Sequence, residues 1–467
     1  MPFPTNPSLF RRVAISVIVG VLSFSAPAAL AAKLERAAAM APLKIPDFGW
    51  DHFRDQLNQA KSSGIDAVST DVWWGLVEKQ GDQQFDWSYY DHLSDEIIAA
   101  GLEWVPILSF HQCGGNVGDD VNIPLPEWLW THFSVGPEDL QYRSEQGNLS
   151  PEVLSLWADD IVRDEYREFM QAFETHFAGK AGSIGEINIS CGPAGELRYP
   201  SYNAHDHDTG YPNRGALQCY GILAESDFRE DVLEQHGTLA RLNQVWGTSL
   251  QSIAEIRPPS DAPGFFDRGD YVGTAYGRDL LSWYNRSLVE HGAFMLTLAQ
   301  QTFDEALSAT PLAIKIPGVH WRMADPQHPR VAEMCAGLIP TDIDYQSDST
   351  AHGYAPIIDT VATARQGTRP VLLHFTCLEM GNENQPPAYS QAENLVFWIA
   401  AGAADRGLTI MGENALSGGV LTDYGWGRID NAFQHASYRG LTVLRIGEVT
   451  DNAFGNQKYQ DFILKFK

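Results

Sequence analysis

Eight short apolar runs, each followed by glycine or polar residues, constrain this chain most. They cover 41–45, 65–71, 103–110, 184–190, 312–316, 371–376, 408–412 and 441–446. Between them, 50–61, 87–100, 158–176, 282–309, 391–404 and 431–439 carry apolar residues at helical spacing. Gly64 and Gly101 close the first two of these. Strands alternating with helices at this count predict an α/β chain folded as a (β/α)8 TIM barrel, with long loops at the C-terminal face of the strands. Residues 33–41, rich in alanine, read as a loose leader before the first strand. The connection of about 191–311 is too long for a simple crossover. It is expected to build one wall of an active-site cleft, with helical patches at 216–236 and 239–246. No internal repeat or second domain is evident, so 32–467 reads as one catalytic domain.

The first 31 residues stand apart. Arg11-Arg12 precede an apolar run, and Ala29-Leu30-Ala31 fits a small-x-small cleavage site. The run is short for a membrane anchor, so a removable signal peptide and a secreted product, periplasmic or extracellular, are expected. No later stretch is apolar enough to span a bilayer. The formal net charge is -27, which disfavours nucleic-acid and anionic-membrane partners but not a neutral substrate or a metal ion. The five cysteines form no CxxC pair and read mainly as small buried hydrophobes.

Carboxylates cluster where runs end. Ile184–Ser190 is followed by a break at Gly192, Pro193 and Gly195, and the first acid after it is Glu196, beside Arg198, Tyr199 and Tyr202. Taken alone, Glu196 reads equally well as a catalytic acid or as the ion-pair partner of Arg198. Leu408–Gly412 ends the same way, in Glu413. Two glutamates this far apart converge only if their strands share one sheet, as all strand ends do on one face of a parallel barrel. Asp71 closes another run ahead of Trp73-Trp74-Gly75. His111 opens a glycine-rich loop that reaches Asp119. Lys315 precedes His320-Trp321, and Thr376 precedes Glu379. Carboxylates, amides and hydroxyls interleaved with aromatic rings suit sugars. The glycine loop lacks the lysine-hydroxyl pair of a phosphate cradle, and no HExxH is present.

These motifs resemble the β-amylases, glycoside hydrolase family 14, in their bacterial branch. The likeness runs in order through Asp71–Gly75, His111–Asp119, Gly192–Tyr202, Lys315–Trp321, Thr376–Met380 and Gly412–Leu416. It implies an exo-hydrolase that cuts α-1,4 bonds at the non-reducing ends of starch, maltodextrins and related α-1,4-glucans, releasing β-maltose with inversion. Glu196 then resembles the general acid and Glu413 the general base. Asp71, His111 and Asp119 resemble the residues holding the terminal glucose, with Gly114–Asp119 as a lid. Lys315 and His320 resemble leaving-side contacts, Thr376 part of a mobile inner loop, and Asn414, Ala415 and Arg445 further sugar contacts. Inversion requires a protonated acid, held so by a raised pKa. It also requires an ionised base across the ring, the pair roughly 6.5–9.5 Å apart. A retaining glycosidase would need a closer pair, and a non-catalytic glucan-binding protein needs neither.

Glu165 and Glu168 share one helix face, and Glu78, Asp82 and Gln83 lie on one turn. By spacing these are two solvated acidic faces; by resemblance to bacterial members they match a structural calcium site, Ca2+ being the one cofactor expected, with none for catalysis. Val121 stands where relatives can carry a cysteine paired to the equivalent of Cys113, so that bridge should be missing. Starch-granule binding modules found in some relatives are not expected after Arg445. A monomer is expected.

Overall fold

The computed structural model describes residues 33–115, 119–365 and 369–467. The segment expected to be a signal peptide and 116–118, the centre of the expected lid, lie outside these. Eight parallel strands form a closed barrel in chain order: β1 (Arg36–Met40), β2 (Ala67–Trp73), β3 (Glu103–Ser109), β4 (Ile187–Ile189), β5 (Leu312–Ile316), β6 (Val371–Phe375), β7 (Ile410–Glu413) and β8 (Tyr438–Val443). Each strand pairs with the next, and β1 closes against β8 through Arg36–Gly440 to Ala39–Val443.

One expectation is overturned at the start. The first strand is Arg36–Met40, not 41–45, so the alanine-rich stretch is barrel wall rather than leader. Alanine has poor strand propensity, but Ala37, Ala38 and Ala39 are buried on both faces, where small side chains let neighbours approach. The last strand likewise begins at Tyr438, three residues before its apolar run. The helix expected at 431–439 is Asp423–His435, capped by the Thr422 hydroxyl accepting from Gly425 N–H.

Alternation along the strands sets up the site. Ala38, Ser69, His374 and Met411 line a small cavity inside the barrel. Two residues further along the same strands come Met40, Asp71, Thr376 and Glu413, which line the cleft above it. At the lower level Arg36 and Asn188 donate to Glu186, and His374 Nε2 lies 2.7 Å from it. Burial opposes the Glu186 carboxylate, but these partners outweigh it and hold its pKa down at about 2.

The long connection contains helices Ile222–His236, Leu239–Trp246 and Ala275–Thr302. The last packs on Asp159–Phe177 and carries Tyr284, whose ring stacks on Tyr199 at 3.8 Å. Tyr199 Oη also donates to Tyr284 O. This fixes the loop that carries Glu196 to a rigid helix. All five cysteines are buried free thiols, and Cys113 Sγ donates to Val121 O at 3.5 Å.

Candidate active site

The C-terminal face opens into a cleft of about 740 Å³, including solvent at its mouth. Glu196 and Glu413 both line it, with Asp71, His111, Asp119, Lys315, Thr376, Ala415 and Arg445.

Local backbone geometry aims each side chain. After β4 the chain turns through Ala194 (φ 55) and Gly195 (φ 74) before Glu196. An alanine in the left-handed region is unfavourable and persists only where its surroundings impose it. A Cβ at Gly192 would meet Glu196 O at 2.5 Å, so only glycine lets the loop fold back on itself. Leu197 N–H then donates to Lys315 O at 2.8 Å, tying the acid loop to β5. Glu413 is the last residue of β7. Its Oε1 accepts from Lys315 Nζ at 2.9 Å. Burial works against the Lys315 ammonium, but Glu413 and Glu196 overcome it and raise its pKa. Lys315 therefore stays charged beside the Glu413 side chain. Glu196 Oε2 accepts from Arg198 Nε at 2.8 Å, the ion pair that the sequence left open.

Asp71, Trp73 and His111 lie together along the cleft lining. Burial lifts the Asp71 carboxyl to about 6, against the Ser109 hydroxyl, Lys315 and Arg445, which pull it down. Burial, with Lys315 and Arg198 nearby, drops His111 to about 3. The ring is neutral, its Nδ1 lies 2.8 Å from Ser190 Oγ, and its edge meets Trp73. Thr376 Oγ1 accepts from Gly318 N–H, linking the loops after β5 and β6.

Two residues expected to contact sugar, Asn414 and His320, are not among those lining this cleft. Asn414 is fully buried: its amide donates to Leu416 O and accepts from Leu444 N–H, so it braces the loop after β7. His320 is buried outside the cleft lining, with Nδ1 2.7 Å from Ser390 Oγ, and burial lowers it to about 4. One important group was seen only as a further carboxylate. Buried Glu379 accepts from the N–H groups of Ala415 and Leu416, at 3.0 and 2.8 Å, and so anchors the segment after Glu413. No sequence pattern marks such a contact, because its donors are backbone groups.

Away from the cleft, Asp82, Glu165 and Glu168 each bring a carboxylate oxygen within 4.8 Å of the others. Asp82 Oδ1 is buried and accepts no hydrogen bond among the described residues. His132 Nε2 stands 3.2 Å from Glu165. Glu78 is not in this trio: its oxygens accept from Trp74 Nε1 and Gln83 N–H, both at 2.6 Å. Gln83, with φ 58, serves Glu78 through its backbone.

Comparisons with known proteins follow the same outline. Residues 38–467 match the profile described as Glycosyl hydrolase family 14. The thermophilic beta-amylase of Thermoanaerobacterium thermosulfurigenes is 39% identical over 418 residues, 88% of this chain and 70% of that protein. The beta-amylase of Cytobacillus firmus is 38% identical over 442 residues, covering 94% and 88%. The crystal structure of the catalytic domain of beta-amylase from Paenibacillus polymyxa superposes with a TM-score of 0.83. It is 37% identical and covers 94% of this chain and all of that one. The closed barrel, the paired strand-end carboxylates and these matches together place the chain: it belongs to glycosyl hydrolase family 14.

Proposed function

We propose that this chain is a β-amylase: an inverting exo-hydrolase that releases β-maltose from the non-reducing ends of starch and related α-1,4-glucans. The observation that carries the proposal is the shared cleft of Glu196 and Glu413, with the charged Lys315 reaching one and linked by backbone to the loop of the other.

The chemistry follows from those positions. Glu196 gives its proton to the glycosidic oxygen as the bond to the anomeric carbon breaks. Glu413, ionised beside Lys315, takes a proton from a water that attacks the opposite face of the sugar. The new hydroxyl therefore has the opposite configuration to the bond cleaved. Asp71 and neutral His111, backed by Trp73, suit the hydroxyls and one ring face of a terminal glucose. Asp119, Ala415 and Arg445 border the same space, with Lys315 and Thr376 towards the leaving side. The test is NMR of the products from maltoheptaose. Maltose appearing first as the β anomer supports the proposal. An α product or a lack of cleavage overturns it.

Calcium is the second part of the proposal. Asp82, Glu165 and Glu168 would supply hard oxygen ligands, and the unpartnered Asp82 oxygen fits that use. Glu78 and the Gln83 backbone would complete the turn around it. Bound there, the ion would join the turn to helix Asp159–Phe177 and play no part in bond cleavage. Secretion is the third part. It rests on the sequence of residues 1–31, and no helix among the described residues is long and apolar enough to cross a membrane. Burial raises the thiols of Cys113 and Cys335 to about 12, which suits free cysteines to an oxidising compartment.

A further inference from the structure

Glu196 has to deliver a proton while touching a guanidinium, and a guanidinium in contact with a carboxyl favours the anion. The surroundings of Arg198 bear on that conflict. Arg198 is 2% exposed. Its Nε donates to Glu196, while Nη1 donates to Asn203 Oδ1 at 2.8 Å and lies 3.2 Å from Tyr199 O. The Asn203 amide in turn donates to Glu152 Oε2 at 2.6 Å. A buried chain of contacts thus runs from Glu196 through Arg198 and Asn203 to a second carboxyl. Glu152 is 7% exposed, and its Oε1 is buried and accepts no hydrogen bond among the described residues.

We propose that Glu152 is a positioning residue for the acid: once ionised, its negative charge, relayed through Asn203, shares the Arg198 cation and extends to higher pH the range in which Glu196 keeps its proton. This rests on the reading of Glu196 as general acid. If Glu152 were absent or neutral, Glu196 alone would balance the buried guanidinium, and the anion would be favoured. With Glu152 ionised, the cation is already compensated. Asn203 is suited to the link, because its amide accepts from the cation and donates to the anion at once.

The charge on Glu152 is in place above its own titration, on the alkaline side where the acid would otherwise lose its proton. Burial lifts Glu152 to about 7, opposed by Arg198 and His205 and reinforced by Asp119. Around Arg198 the facing groups are Glu196, Glu152 and the Tyr202 ring, 4.2 Å from the guanidinium carbon. Lys315 faces Glu196 from β5, and the neutral His111 lies within the field of both cations. Gln112 N–H donates to Glu152 O, so the same residue also ties the segment leading to the lid.

The test is the pH dependence of kcat/KM for maltoheptaose in wild type, Glu152→Gln and Glu152→Asp, with melting temperatures measured alongside. The alkaline limb reports loss of the proton from the acid. In Glu152→Gln that limb should move to lower pH by about half a unit or more. Glu152→Asp, which keeps the charge, should leave it near the wild-type position even if the melting temperature falls. An unmoved limb in Glu152→Gln, or equal shifts in both variants, would overturn the proposal and leave Glu152 a packing residue. If Glu152→Gln does not fold, Asn203→Ala breaks the link. The same acid-ward shift is then expected, and its absence is equally decisive. A wild-type chain that releases no maltose refutes the β-amylase reading instead.

Discussion

The cleft and the Asp82–Glu165–Glu168 cluster both gather carboxylates, yet they handle charge in opposite ways. In the cleft, Asp71, Asp119, Glu196 and Glu413 are interleaved with Lys315 and Arg445, and Arg198 lies beneath. The chain supplies its own counter-charges there, each attached to a different strand end. In the cluster the nearest basic side chains are His132, an imidazole charged only when protonated, at 3.2 Å from Glu165, and Arg167 at 3.7 Å from Glu168. A self-compensated site can bind a neutral sugar without recruiting an ion. An uncompensated site is better settled by an ion from outside.

The comparison breaks most sharply at the two glutamates. Glu196→Gln and Glu413→Gln should each lower the rate of maltose release by about 10³-fold or more, with little change in maltodextrin affinity by calorimetry. Near-normal turnover in either would remove that residue from the mechanism. Lys315→Met leaves Glu413 buried beside no cation, and kcat should fall by about 10²-fold. An unchanged kcat would show that the internal counter-charge is dispensable. Glu379→Ala strands the N–H groups of Ala415 and Leu416, at a cost of about 1–3 kcal/mol each. We expect KM to rise about tenfold, with a smaller change in kcat. A change in melting temperature alone would confine Glu379 to stability.

The acidic cluster should answer to metal rather than to substrate. Chelation, or Asp82→Asn, is expected to lower the melting temperature by about 5 °C while activity at 25 °C persists. Equal melting curves with and without chelator would sink the calcium proposal. The smallest effect concerns pH. Asp71 has a folded-state pKa of about 6, above the roughly 3.9 of an unfolded chain. The folded state holds the extra proton between those values, so this group costs stability as pH rises from 4 to 6. Asp71→Asn should flatten that part of the melting-temperature profile relative to wild type. Parallel profiles would mean that Asp71 stays ionised throughout.

The barrel was legible because strands buried on both faces leave unbroken apolar runs, and seven of the eight runs overlap a strand. The exception is instructive. Arg36–Met40 looks like linker because alanine marks neither strand nor core, and only pairing with Ala67–Trp73 on one side and Tyr438–Val443 on the other makes it a strand. The helix Ala275–Thr302 was read seven residues late, since its cap at Thr274 precedes the apolar rhythm. Within the cleft, Asp71, Lys315 and Glu413 could be picked out because each lies towards the C-terminal end of a strand, and Glu196 because it is the first acid after one. Asn414 could not be sorted from Ala415, its neighbour, because adjacent residues face different ways and sequence does not say which faces inward.

The amino-acid sequence by itself determined the alternation of strands and helices, the face on which strand-end carboxylates must gather, and an acidic chain suited to a neutral substrate. Those follow from local periodicity and from the one-sidedness of a parallel barrel. The tertiary structure alone decided which cation answers which carboxylate. Lys315 reaches Glu413 across 98 positions of chain, and Glu152 meets Asn203 across 51. Such pairings depend on how loops pack over the barrel mouth, and the desolvation that gives them strength exists only once the chain has closed around them.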